Sequence, residues 1–225
     1  MTFDVGIGII SAGDAALEVG GISEVQTSTQ NPNLKIKATH FVATAKSNAF
    51  VDVFFKVRDK NESWYDEHKQ ISYRFEQHNQ EGKYILDQTV SFDWEKKRVQ
   101  NIENVKGRQP KIEETDLTVP VVDTLASLYI TRTRKLNVGD EFSLDVFSGR
   151  TYPLVVKVLR RETVKVPAGK FDCFVVEPFL KERGIFIQKG KKLQVWLTAD
   201  ERKIPVMMKA EIFIGHVYAE LKKIE

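Results

Sequence analysis

The run PVMMKAEIFIG, residues 205–215, sets Val206, Met208, Ala210, Ile212 and Ile214 against Met207, Lys209, Glu211 and Phe213. Residues two apart share a face of an extended strand, and their neighbours take the other face. One apolar and one mixed face is the pattern of an antiparallel sheet that is buried on one side only. The same period runs through LKIKATHFVATA, where Leu34, Ile36 and Ala38 oppose Lys35, Lys37 and Thr39. This alternation rules out a helical bundle and makes the chain predominantly β.

Turn chemistry divides the alternating segments into hairpins. FDVGIGIISAGDAALEV reads as two strands about a turn at Ser11–Asp14, and NPN (31–33) as a further turn. In NAFVDVFFKV, Val51, Val53 and Phe55 alternate, while Phe50, Val53 and Phe54 form a helical stripe; a short helix or irregular edge is expected. From 62 to 105, ESWYDE, QISYRFEQHNQ, KYILDQTVSFDWE and KRVQNIENV follow as strands, reversing at NQEGK (79–83) and WEKKR (94–98). KGRQPKIEETDLT (106–118) is polar and aperiodic, and is expected to be a mobile loop. Strands return after residue 140, with a tight hairpin at VPAGKF (166–171), where Gly169 can take the left-handed position. Neighbouring strands joined by short connections form a meander. A length of 225 residues suits a single β-rich domain, 1–225.

One segment departs from the pattern. On a helical wheel over 120–134, Val121, Val122, Leu125, Leu128 and Tyr129 share one side, extended by Ala126 and Ile130. Asp123, Thr124, Ser127, Thr131 and Arg134 share the other. Pro120 suits a first turn, Asp123 the positive end of the dipole, and Arg132, Arg134 and Lys135 the negative end; Asn137 and Gly139 can stop the helix. A sheet of about ten strands curls, and its concave face is too apolar to stand open. The expected architecture is therefore all-β with minor α: a curved antiparallel sheet or half-open barrel, with one main helix packed on the concave side. Arg132 falls inside the apolar arc. Either it snorkels to water from a fraying last turn, or it points inward to an anionic group.

Composition narrows the function. Hydrophobic residues are 42% and charged residues 29%, the balance of a globular chain. A net charge of +3, spread evenly, does not make a nucleic-acid surface. No apolar run approaches the ~18 residues of a transmembrane helix. VGIGII is six residues long and flanked by Asp4 and Asp14, unlike a signal peptide. The single cysteine, Cys173, makes no internal disulfide, which fits either a cytosolic protein or an exported one that avoids disulfides.

DTLASLY followed by Arg132 and LNVGD, together with FDVGIGIISAG (Phe3–Gly13), VWLTADERKIPV (Val195–Val206) and GHVYAELKK (Gly215–Lys223), resembles a bacterial exported domain family of unknown function. The resemblance covers essentially the whole chain and rests on the order of the four segments. It implies a location in the periplasm or cell envelope after removal of a signal. It also implies a curved antiparallel sheet with helical cover, similar to the lipoprotein-carrier half-barrels of the periplasm. No catalytic residue comes with it.

Local chemistry adds little. Asp66 and His68 could share a strand face as metal ligands, but no third ligand accompanies them, so no metal site is assigned. Cys173 reads as a small buried hydrophobe. The acid pairs Asp14/Glu18, Glu113/Glu114 and Asp200/Glu201 fall in turns or loops, and no G-x-S-x-G or phosphate loop occurs. No catalytic residue and no cofactor is expected. The aromatics are more suggestive: Trp64, Tyr65, Tyr73, Phe75, Phe92 and Trp94 lie on consecutive strands; Trp64 and Tyr65 point to opposite faces, Tyr73 and Phe75 share a face, and so do Phe92 and Trp94. The expected function is a non-enzymatic cell-envelope protein that binds a lipid, lipoprotein or other amphiphile through Leu125, Leu128, Tyr129, Arg132, Trp64, Tyr73 and Trp94. The alternatives are an assembly factor that recruits an envelope protein partner by an edge strand, or a hydrolase of envelope glycan or lipid.

Overall fold

Alternating segments become strands wherever a polar turn lets them fold back. The computed structural model describes residues 1–26, 35–180, 192–211 and 215–224. In chain order it contains β1 (Thr2–Ile7), β2 (Ile10–Gln26), β3 (Lys35–Ser47), α1 (Ala49–Asp52), β4 (Val57–Asp66), β5 (Ile71–Glu81), β6 (Tyr84–Asp93), β7 (Arg98–Val105) and β8 (Lys111–Asp116). These are followed by α2 (Thr124–Thr133), β9 (Glu141–Phe147), β10 (Thr151–Val166), β11 (Gly169–Leu180), β12 (Leu193–Thr198), β13 (Pro205–Glu211) and β14 (His216–Lys223). The strands share one hydrogen-bonded order, β8-β7-β6-β5-β4-β3-β2-β1-β14-β13-β12-β11-β10-β9. The ladders are antiparallel, as the alternation requires. The NPN turn and the Ile212–Ile214 end of the alternating run lie outside the described residues.

The chain forms two compact units. The first comprises 1–15, 128–144 and 152–225; the second comprises 16–127 and 145–151. In the first, β1 pairs with β14 from Thr2↔Lys223 to Ile7↔Val217. Phe3, Val175, Leu197, Val206 and Leu221 are removed from solvent. Gly6 lies directly opposite Tyr218, whose ring occupies the space a side chain at Gly6 would need. In the second unit, β3 to β8 form a meander, with pairs including Glu62↔Glu76 and Gln88↔Glu103 and one register shift, in the β4–β5 ladder. Its core holds Phe41, Phe75, Val90, Phe92 and Val99, with Val121 and Val122 buried as well. Phe147 meets Phe92 edge-on at 5.7 Å.

Four expectations are corrected. The first hairpin turns at Gly8–Ile9 rather than Ser11–Asp14. Gly8 there takes φ +61, and the Ala12-Gly13-Asp14 run continues as strand within the 17-residue β2. Residues 106–118 are not one loop: after a turn at Lys106–Gly107 they contribute β8, four of whose six residues are charged. The main helix begins at Thr124, not near Pro120. Val122 is instead extended, bridging to Val146 and exchanging backbone hydrogen bonds with Asp145 and Phe147. Tyr73 and Phe75 do not share a face. The β4–β5 ladder runs Trp64↔Arg74 and then Tyr65↔Ser72, so Tyr73 is the extra residue of a bulge, and a bulge inverts the alternation beyond it. The short helix foreseen in NAFVDVFFKV is α1.

Candidate functional site

The bulge decides which aromatics meet. Beyond it, Ile71 and Tyr73 join Val25 and Ala38 in a buried cluster, against which Ile36, Trp64 and Trp94 pack half-buried. Three of the expected ligand residues, Trp64, Tyr73 and Trp94, are thus gathered in the second unit. Their polar atoms are held within the protein: Trp64 Nε1 donates to Ser23 Oγ (3.0 Å) and Trp94 Nε1 to the Ser72 carbonyl (2.8 Å). The Tyr73 hydroxyl accepts from Lys69 Nζ (2.9 Å) and donates to Asp66 Oδ2 (3.2 Å). Trp64 also stacks on His40, ring centroids 4.5 Å apart, and Trp94 lies parallel to Phe92 at 6.3 Å. With N–H groups satisfied inward, the ring surface left to solvent is apolar. Lys69, ion-paired with Asp66 at 3.7 Å, adds a largely exposed ammonium beside it.

Leu125 is buried in the first turn of α2, in the same unit. That turn is anchored by Asp123, a polar-face residue in the sequence that is here fully buried. Its Oδ2 accepts from Ser63 Oγ and Ser72 Oγ, both at 2.6 Å, and its Oδ1 from the N–H groups of Leu125 and Ala126, both at 2.9 Å. Ser72 Oγ in turn accepts from the Asp123 N–H. Burial pushes this carboxyl up; the four donors oppose the shift. The arrangement is an N-cap with two serines added, and it leaves no oxygen for a substrate.

The other three expected residues, Leu128, Tyr129 and Arg132, lie in the first unit. Leu128 is half-buried and Tyr129 buried. Arg132 is half-buried, and its hydrogen bonds among the described residues go to backbone carbonyls. Its guanidinium stacks over the Tyr129 ring at 5.2 Å, and donates through Nε to the Lys203 carbonyl (2.9 Å) and through a terminal nitrogen to the Arg202 carbonyl (3.3 Å). Burial lowers its proton affinity. The receiving turn is itself fixed: Asp200 Oδ1 accepts from Thr198 Oγ1 and the Lys203 N–H, and Thr198 Oγ1 from the Ile204 N–H. The TADERK segment is therefore a docking turn for Arg132.

Asp66 and His68 do not form a ligand pair: the Asp66 carboxylate caps a turn by accepting the N–H groups of His68 and Lys69. Among the described residues, the grouping that could hold a metal is Glu62, Glu76 and His78, whose ligand-type atoms lie within 4.8 Å of one another. Glu76-x-His78 on one strand face was its sequence signal; the third member arrives only through the β4–β5 register. Each glutamate already has a cation, Lys60 (2.9 Å) on Glu62 and Arg74 (2.5 Å) on Glu76, while His78 Nδ1 meets Asp87 at 2.8 Å. With both glutamates and the imidazole already engaged in this way, the group reads as a cross-strand charge network. Cys173 is buried, its thiol pushed up to about 11 by burial, an inert core residue.

A family model described as a protein of unknown function, DUF3108, matches residues 2–222. A solved structure, a β-barrel-like protein of domain of unknown function DUF1849 from Brucella abortus, is similar with a TM-score of 0.55 at 10% identity, over 97% of this chain and 93% of that one. At that identity the likeness is one of fold. No curated protein matches the chain.

Proposed function

The chain belongs to the DUF3108 family, and from that premise we propose that it is a non-enzymatic protein of the cell envelope that binds an apolar or amphiphilic ligand on the Trp64–Tyr73–Trp94 seat of its second unit. The observation that carries this is the aromatic cluster itself. Two half-buried indoles rest on a buried apolar floor, with every ring N–H turned inward. Such a surface offers contact area without directed polar recognition, which suits an alkyl chain. Lys69 beside Tyr73, largely exposed and shared with Asp66 at 3.7 Å, is the cation an acidic head group would meet. The groups with the strongest chemical potential elsewhere have structural work: Asp123 caps α2, Arg132 ties a turn, and Cys173 is held as a thiol.

Native mass spectrometry of the gently purified chain, followed by titration with oleate monitored by tryptophan emission, tests the reading. A co-purified amphiphile, and saturable binding weakened about tenfold, or about 1.4 kcal/mol, in W64A or W94A, is the expected result. Absence of any adduct together with a flat titration overturns it, as does an affinity that both substitutions leave unchanged.

A further inference from the structure

At the opposite end of the second unit from the bulge, α1 turns the chain between β3 and β4 and displays apolar side chains outward. Phe50, Val53, Phe54 and Phe55 are 65%, 75%, 78% and 51% exposed. Phe50 and Phe54 meet edge-on at 5.9 Å, forming one knob rather than scattered side chains. Isolated exposed apolar residues are ordinary; four bulky ones within six positions are not.

The knob stands on a fixed base. Asn48 caps α1 by accepting the Val51 N–H, and the N–H groups of Phe54 and Phe55 both return to the Val51 carbonyl. Asp52 is closed on Arg58 and Ser47, and Ser47 Oγ accepts the Val57 N–H. Two more turns reach the same end. The Gly82 N–H bonds the Lys56 carbonyl, and the Lys106 N–H bonds the Ile85 carbonyl. Gly82, at φ +61, lies so close to the Phe55 ring that a Cβ would fall 2.9 Å from it.

Those turns and the end of β3 bring cations. Lys46, Lys56, Lys83, Lys106 and Arg108 are all exposed around the knob. Against them stand exposed Glu81, half-buried Asp59 and an Asp52 already neutralised by Arg58, so cations remain in excess. An aromatic knob within a basic rim is complementary to one kind of surface in particular: apolar just below a layer of negative charge.

We propose that this end of the second unit docks on a membrane surface containing anionic phospholipid. Phe50, Val53, Phe54 and Phe55 enter the boundary between head groups and acyl chains, and the lysines and Arg108 sit at the phosphates. The contact is interfacial and crosses nothing. It goes beyond the amphiphile seat and shares no residue with it, so either can fail alone.

The test is flotation of the full chain with vesicles of phosphatidylcholine, with and without phosphatidylglycerol. Binding is expected to need the anionic lipid and to fall steeply with added salt. F50S/F54S/F55S is expected to weaken it at least about tenfold while the far-ultraviolet spectrum is unchanged. Should that variant not fold, K56E/K83E/K106E is expected to abolish the anionic preference. No binding to anionic vesicles overturns the proposal, as does binding that both variants leave intact. Self-association in sedimentation that F50S/F54S/F55S removes, without vesicle binding, assigns the knob to a second copy of the chain and also overturns it.

Discussion

No sequence pattern singles out Asp59, yet it is the carboxyl whose environment has the clearest thermodynamic consequence. It lies opposite Asn79 in the β4–β5 ladder. Burial pushes it up to about 6, the charge of Glu81 adds to the shift, and the Gln80 N–H opposes it. A raised folded-state value favours the protonated form. Its stabilising contribution is complete below the ordinary value of 3.8 and is lost as pH rises through about 6. D59N should therefore stabilise the protein at about pH 7–8 by on the order of 1–2 kcal/mol, discounted for partial exposure, and change it little near pH 4. Urea midpoints at the two pH values check this; an equal effect at both would mean that charge is not the cause. The sequence conceals such a site because the burial comes from the register, not from Asp59 or its neighbours in the chain. Tyr73 shows the same limit. Its face depends on a bulge for which the residues QISYRF carry no mark. Cys173 was readable because its chemistry needs only burial.

At the scale of elements, helices and hairpins were legible where local chemistry is complete, and misplaced where a distant partner competes. The turn at Gly82 and the reversal at 94–97 follow from their residues. The start of α2 does not. Val121 and Val122 fit a helical wheel, but strand-like bonding takes them: Val122 pairs with Val146, and the Val121 carbonyl accepts the Ser72 N–H. Asp123 then becomes the cap, and Ser63 and Ser72 complete it from β4 and β5. D123A removes a cap worth about 1 kcal/mol and strands two buried serine hydroxyls. A loss of roughly 2–4 kcal/mol in urea unfolding is expected, with partial recovery in D123S, which can still cap. A loss below about 0.5 kcal/mol, the size of an ordinary surface change, would contradict the assigned role. The polar stretch that became β8 shows the reverse case. Lys111, Glu113, Glu114 and Asp116 make it look like a loop, but β8 ends the strand order, and charge on an end strand discourages a further chain from adding to it. Recruitment of a partner through that edge is correspondingly disfavoured.

For the whole molecule, hairpins such as β5–β6 and β10–β11 could be read because each closes through its own turn, whereas the ladder joining β1 to β14 could not. It pairs Thr2 with Lys223, and no local signal spans that separation. Closing a loop of that length costs roughly 5 kcal/mol of chain entropy by the logarithmic rule, before any of its contacts form. Long-range pairing of this kind slows folding. A circular permutant moves the cost elsewhere. Linking the ends of β1 and β14 by a short Gly/Ser segment, and opening the chain at exposed Gly107, makes the β1–β14 ladder local and the β7–β8 ladder distant. The β7–β8 ladder has six pairs, and β8 contributes no buried residue. By contrast, β1 and β14 contribute Phe3 and Leu221, which are completely buried. The permutant should keep its urea slope, refold with a faster main phase in stopped-flow tryptophan fluorescence, and lose little stability. Deleting residues 1–7 should instead abolish cooperative unfolding of the first unit, because it removes Phe3 and uncovers Leu221. A permutant that refolds no faster, beside a deletion variant that still unfolds cooperatively, would show that the β1–β14 ladder is not what closes the fold.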